Sequence, residues 1–170
     1  YPFYGNWTVY EAGNYQILVH KGASYYSVEK NGAVYFLIGH AFNPFSMVWQ
    51  EESILSSLAE KSVQQLDLEF VNQLTGIFIM GRIRERSISF WLDASGMQYG
   101  CYGEVEGIRY ISSHMQLIGD LCGLKTDPYV DRLIHYRWYH YMMGNYMPGD
   151  ITCFSELKRI VPNTVVHFDG

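Results

Sequence analysis

Few residues in this chain have the type and spacing that chemistry needs. His40 follows the apolar run Ala33-Val34-Tyr35-Phe36-Leu37-Ile38 and Gly39. An imidazole there reads either as a general base or as a polar residue closing a strand. Asp131 and His135 stand four residues apart, which is pairing geometry on a helix. No HExxH pattern and no third ligand accompany them, so a metal site is not suggested. The cysteines Cys101, Cys122 and Cys153 are an odd number, widely spaced, with no CxxC pair. That excludes a zinc knuckle and a disulfide framework as first readings, and leaves reduced, mostly buried thiols in a cytoplasmic protein. Positive charge gathers only in the alternation Arg82, Arg84, Arg86, which Glu85 interrupts, and the net charge is −5. Phosphate neutralisation needs a basic face, so nucleic acid is not an expected partner.

The elements that must hold these residues are legible in outline. At 170 residues the chain is long enough for one compact domain, hiding about two-thirds of its unfolded area. Apolar residues make up 48% and charged ones only 17%, with no polar low-complexity tract, so disorder is not expected. Fifteen Tyr, nine Phe and four Trp favour pleated, half-buried surfaces and therefore β structure. No apolar run approaches the ~20 residues a membrane span requires, and no secretory signal is visible.

Hairpins fill the first forty residues. Trp7–Tyr10 and Tyr15–Val19 flank the turn cluster Glu11-Ala12-Gly13-Asn14, and Tyr25–Lys30 leads through Asn31-Gly32 into Ala33–Ile38. Asn-Gly suits a type I′ turn, where both central residues need positive φ. Glu51–Ala59 sets Ile54, Leu55 and Leu58 at helical spacing behind acidic residues. A short helix is predicted over Leu66–Leu74, with Phe70 and Leu74 inward. Strands follow at Gly76–Ile83 and Ser87–Leu92 around the tip Arg84-Glu85-Arg86, and at Gln98–Tyr102 and Ile108–Ser112. Ser113 is placed to cap a helix ending at Cys122-Gly123. Asp127-Pro128 opens a helix to Met143 that Gly144 stops. Its stripe of Tyr129, Tyr136, Trp138, Tyr139 and Tyr141 reads first as core across a sheet, with docking on another domain as the alternative. A final strand covers Thr164–Phe168. Strands, then helices, then strands in mostly antiparallel order predict an α+β domain.

Several stretches, in order along residues 33–170, resemble the glutamine-amidotransferase domain that opens asparagine synthetases. Leu74-Thr75-Gly76-Ile77-Phe78 is similar to L-N-G-M-F, and Leu92-Asp93-Ala94-Ser95-Gly96-Met97 to R-D-x-x-G-I. Ile111-Ser112-Ser113-His114-Met115 falls where the family has F-A-S-E-I. Tyr146-Met147-Pro148-Gly149-Asp150 resembles G-Y-x-P-G-x, and Thr152 to Asn163 the T-x-F and I-K-R-L-P-P-G stretch. The resemblance implies an N-terminal-nucleophile hydrolase-like αββα sandwich with two mostly antiparallel sheets. It makes residues 1–170 a single domain, the first part of a longer protein whose downstream synthetase domain would be its partner. ATP and magnesium are expected only there, no cofactor is expected in this domain, and a homodimer stays open.

The same resemblance exposes departures at the pocket. The family's nucleophile is an N-terminal cysteine whose α-amino group acts as base, whereas this chain starts at Tyr1. The oxyanion segment N-G-E-I-Y-N is matched by Ile38-Gly39-His40-Ala41-Phe42-Asn43, which keeps the glycine and loses the first asparagine. The D-S-E motif that holds the substrate's α-amino group is matched by Gln50-Glu51-Glu52, which keeps the glutamate and loses the aspartate. No R-G-P-D or H-R-R-L segment grips an α-carboxylate. The expectation is therefore a vestigial pocket of Gly39, His40, Asn43, Gln50 and Glu52, with no catalytic residue, no metal and no glutaminase activity. Asp93 and Gly96 read as a structural Asx-type turn. The alternatives are an active glutaminase whose N-terminal cysteine is absent from this chain, and a small-ligand binding module.

Overall fold

The computed structural model describes residues 4–62, 66–144 and 147–169. Tyr1, Tyr146 and Gly170 lie outside them. Two compact units are present, one of Tyr1–Gln98 with Pro162–Gly170 and the other of Tyr99–Val161. The class is α+β and every strand pairing is antiparallel. Among the described residues three sheets form rather than the two expected, because the first hairpin pairs with itself alone.

In the first unit, β1 (Trp7–Ala12) and β2 (Tyr15–His20) make that hairpin around Gly13 and Asn14, with Gly13 at φ 59°. Next come β3 (Tyr25–Lys30), β4 (Ala33–Phe42), β5 (Thr75–Arg84) and β6 (Ser87–Leu92). With β10 (Val165–Phe168) they build a five-stranded sheet in the order β10-β6-β5-β4-β3. The β3–β4 turn has Asn31 at φ 55° and Gly32 at φ 69°, the pair of positive φ values a type I′ turn demands.

Helix α1 (Glu51–Lys61) packs Ile54, Leu55, Leu58 and Ala59 against Tyr35, Leu37 and Ala41 of β4, with Phe78, Met80 and Trp91 in the same buried cluster. Each fully buried aliphatic or aromatic side chain contributes about 1.5–3 kcal/mol. Helix α2 is a single turn, Leu68–Val71, not the longer helix expected. Asp67 ends it on the N-terminal side by accepting from Phe70 N, while Phe70 and Leu74 both point inward.

The second unit holds β7 (Cys101–Val105), β8 (Ile108–Ser112) and the short β9 (Leu157–Arg159), which the sequence pattern did not suggest, in the order β8-β7-β9. Strand β7 begins three residues later than expected. Gln98 is already spoken for, its N–H donating to Asp93 Oδ2 at 3.0 Å, and Gly100 O accepts from Ile160 N. Helix α3 (Met115–Cys122) ends as predicted on Gly123, at φ 64°. Its N-cap is His114 and not Ser113, whose hydroxyl is engaged with the His114 ring.

The long helix expected after Asp127 is broken in two. Asp127 does cap it, accepting from Tyr129 N and Val130 N, but α4 (Pro128–Ile134) stops where the His135 ring bonds Asp131 O. After a turn, α5 (Tyr139–Met143) follows. The break rotates the aromatic stripe out of register. Only Tyr139 is buried, while Tyr129, Tyr136, Trp138 and Tyr141 are exposed, so the core reading of that stripe is corrected.

Candidate functional site

The residues picked out around His40 sit where β4 and β5 approach each other unusually closely. Gly39 has φ 108° and Gly76 has φ 137°. A Cβ on Gly39 would lie 2.3 Å from Ile77 O, and one on Gly76 would lie 2.2 Å from His40 O. These contacts are with backbone, which cannot swing aside, so both positions require glycine. Between the two glycines, His40 is paired with Ile77 across the strands, and both side chains are exposed.

Three elements meet at the His40 ring. Its Nδ1 lies 3.0 Å from Glu51 Oε1, at the first residue of α1. Its Nε2 lies 3.3 Å from Ser24 Oγ, on the residue just before β3. The Glu51 side chain is 14% exposed and that of His40 71%. An ionised carboxylate only accepts hydrogen bonds, so Nδ1 carries the ring proton in the neutral imidazole. Nε2 is then the acceptor, facing the Ser24 hydroxyl.

The remaining pocket candidates have structural duties. Asn43 is 2% exposed. Its Oδ1 accepts from Phe45 N and Ser46 N, and its Nδ2 donates to Gln73 Oε1. It thus closes a turn, together with backbone bonds in both directions to Val48. Gln50 is the N-cap residue of α1. Its side chain accepts from Ser53 Oγ at 3.4 Å without capping the helix, and its carbonyl takes the Ile54 N–H. Glu52 is exposed in the first turn, and the carboxylate that reaches His40 is that of Glu51. The surviving oxyanion glycine has its N–H occupied, since Gly39 N donates to Ser24 O at 3.0 Å.

Away from this corner, Asp93 is buried inside its own turn. Its carboxylate accepts from Ser95 Oγ, Met97 N and Gln98 N, while its backbone N–H bonds Phe78 O. Burial alone pushes its carboxyl pKa up, but these hydrogen bonds outweigh it and hold the group below its ordinary value. Gly96 has φ 63° and leaves room for Pro162, whose Cγ a Cβ would approach to 2.3 Å.

Asp131 and His135 form an exposed pair at 3.4 Å. Among the described residues no group of three His, Cys, Asp or Glu is placed to hold a metal ion. Burial pushes the Cys101 thiol up to about 12, which leaves it inert as a nucleophile near neutrality.

No family model matches the chain, and no curated protein matches it either. Among its described residues no helix is long and apolar enough to cross a membrane.

Sequence reasoning missed Ser24 and Glu51 as neighbours of His40. Ser24 was within reach of it. Counting register outward from the Asn31-Gly32 turn pairs Tyr25 with Ile38, which brings Ser24 opposite Gly39 and beside His40. Glu51 had no such signal, because the fold of the turn from Asn43 to Val48 decides which residue of α1 faces the strand.

Proposed function

We propose that this chain is an amidotransferase-like domain of an asparagine-synthetase-like protein, on an N-terminal-nucleophile hydrolase fold. In this reading it leaves glutamine intact and supports a downstream domain that uses ATP to form an amide from ammonia or another amine. The observation that carries the reading is at Gly39, the one oxyanion donor that the matched segment retains. Its N–H is spent on Ser24 O, and Ile38 brings no amide to replace the missing asparagine. Losing a single donor of this kind costs about 100-fold or more in rate. At the helix start, Gln50 has no charge with which to hold a substrate ammonium, and its amide oxygen faces Ser53.

The test is ammonia release from glutamine by the full-length protein, run beside ATP consumption with ammonium as the nitrogen source. ATP-dependent amide formation from ammonium, with glutamine inert, is the expected result. Glutamine turnover above background overturns the reading, and so does a full-length protein with no nucleotide-binding domain after this one.

A further inference from the structure

The geometry points to a second chemistry that the amidotransferase reading does not contain. Ser24, His40 and Glu51 form an acyl-transfer site that hydrolyses esters of small apolar carboxylic acids. Nucleophile, base and orienting carboxylate stand in hydrogen-bonded sequence, at 3.3 Å and 3.0 Å. The acid is the sheltered member, the ring faces solvent where a substrate arrives, and Nε2 is the nitrogen turned to the hydroxyl. That is the order of roles an activated serine needs.

The β3–β4 ladder stops at Tyr25 paired with Ile38, and just beyond it Ser24 O takes the Gly39 N–H, which ties Ser24 to the strand that carries His40. Beside the His40 ring lies an apolar platform for the acyl group. Ile77 is paired with His40 and 49% exposed. Phe42, two residues along β4 on the face of His40, stacks on the exposed Trp49 with ring centroids 4.7 Å apart.

A second set of the same residue types is a useful contrast. Ser89 Oγ lies 2.8 Å from His167 Nδ1, and His167 Nε2 lies 2.8 Å from Asp169 Oδ1. Its carboxylate is 89% exposed, and Ser89 is locked between β5 and β10, paired with Arg82 on one side and His167 on the other.

In the reaction, Ser24 Oγ attacks the ester carbonyl carbon as His40 Nε2 takes the hydroxyl proton. The bond from carbon to the leaving oxygen then breaks, and His40 returns the proton to the departing alcohol. Water, deprotonated by His40, attacks the acyl-Ser24 ester and releases the carboxylic acid, restoring the serine. Ester and water give acid and alcohol, with no redox step. Glu51 is a positioning residue that fixes the ring and stabilises the imidazolium.

The test uses p-nitrophenyl butyrate turnover and a fluorophosphonate label mapped by peptide mass spectrometry on the wild-type chain. Expected are an adduct on Ser24, loss of turnover to background in Ser24→Ala, and retention of both label and turnover in Ser89→Ala. Glu51→Gln lowers kcat about 100-fold with KM unchanged, and Glu51→Asp recovers part of it. An unlabelled Ser24, or wild-type turnover in Ser24→Ala, overturns the proposal. The peptide map stands whether or not a variant folds, and neither result bears on ammonia release from glutamine.

Discussion

Two carboxylates in the first unit each sit beside the end of a strand, and they are used in opposite ways. Asp93, just after β6, is enclosed by donors from its own next five residues, the Ser95 hydroxyl and the Met97 and Gln98 amides. Glu51, at the start of α1, reaches across the fold to the exposed ring of His40, which in turn touches Ser24. The first arrangement consumes its charge in holding one turn of backbone, with nothing left to offer a ligand. The second uses its charge to orient an imidazole whose other nitrogen faces a hydroxyl. A carboxylate satisfied by its sequence neighbours is architecture, and one that orients a solvent-facing base has a capacity for chemistry.

The largest effect that separates the two belongs to Asp93. Asp93→Ala takes the buried, charged acceptor away from the Met97 and Gln98 amides of a half-exposed turn. Losing several part-buried hydrogen bonds to one charged acceptor leads to an expected loss of about 3 kcal/mol, read by urea unfolding. The same variant leaves Ser24 labelling intact wherever it is folded. A loss below about 1 kcal/mol would mean the turn does not depend on its carboxylate, and the contrast with Glu51 would collapse.

Much of the scaffold around these corners could be read from sequence, and the reasons are local. Asn31-Gly32 and Gly123 announced themselves because positive φ at a turn or a helix end leaves few residue types to choose from. Asp127-Pro128 likewise marked a helix start through capping chemistry. What stayed hidden depended on contacts between distant residues. The break between α4 and α5 comes where Tyr136 N bonds Leu133 O, an i to i−3 step that an apolar period does not record. The late start of β7 follows from Asp93 claiming Gln98. Of the candidate site, His40 and Gly39 were visible as types in a pattern, whereas Glu51 rather than Glu52 as the ring's partner was decided by the turn at Asn43.

The next effect tests whether the close approach of β4 and β5 is what presents His40. Gly39→Ala must accommodate φ 108° and a Cβ that would lie 2.3 Å from a carbonyl oxygen. The expected cost is about 2 kcal/mol. Gly32→Ala, also at positive φ but facing open space, is the control and costs about 1 kcal/mol. Equal melting temperatures for the two variants would show that the strand crossing tolerates a side chain.

A pH series distinguishes the Asp93 carboxylate by its charge. Its folded pKa lies below the ordinary value, so the ionised form is the one that stabilises. That contribution is fully present above the unfolded aspartate pKa of about 3.9 and is lost as pH falls through the folded pKa. Asp93→Asn keeps an acceptor and loses the charge, a difference of about 1 kcal/mol from wild type near neutrality. Below about pH 4 the gap between wild type and variant in the urea midpoint should narrow. A gap that stays constant down to about pH 3 would assign the stabilisation to shape and not to charge.

The smallest effect on stability is expected at Glu51, and its smallness is the point. Glu51→Gln keeps the side chain's size and an acceptor for His40 Nδ1, and the ring it holds is largely exposed. Pairs with a solvent-facing partner typically contribute about 0–1 kcal/mol, so the unfolding midpoint should move by less than that range. If the corner exists to orient a base, the same substitution that hardly changes folding lowers kcat on an ester. If Glu51→Gln instead destabilises the chain as much as Asp93→Ala does, Glu51 is architecture too. The two corners would then differ only in how far apart in sequence their partners lie.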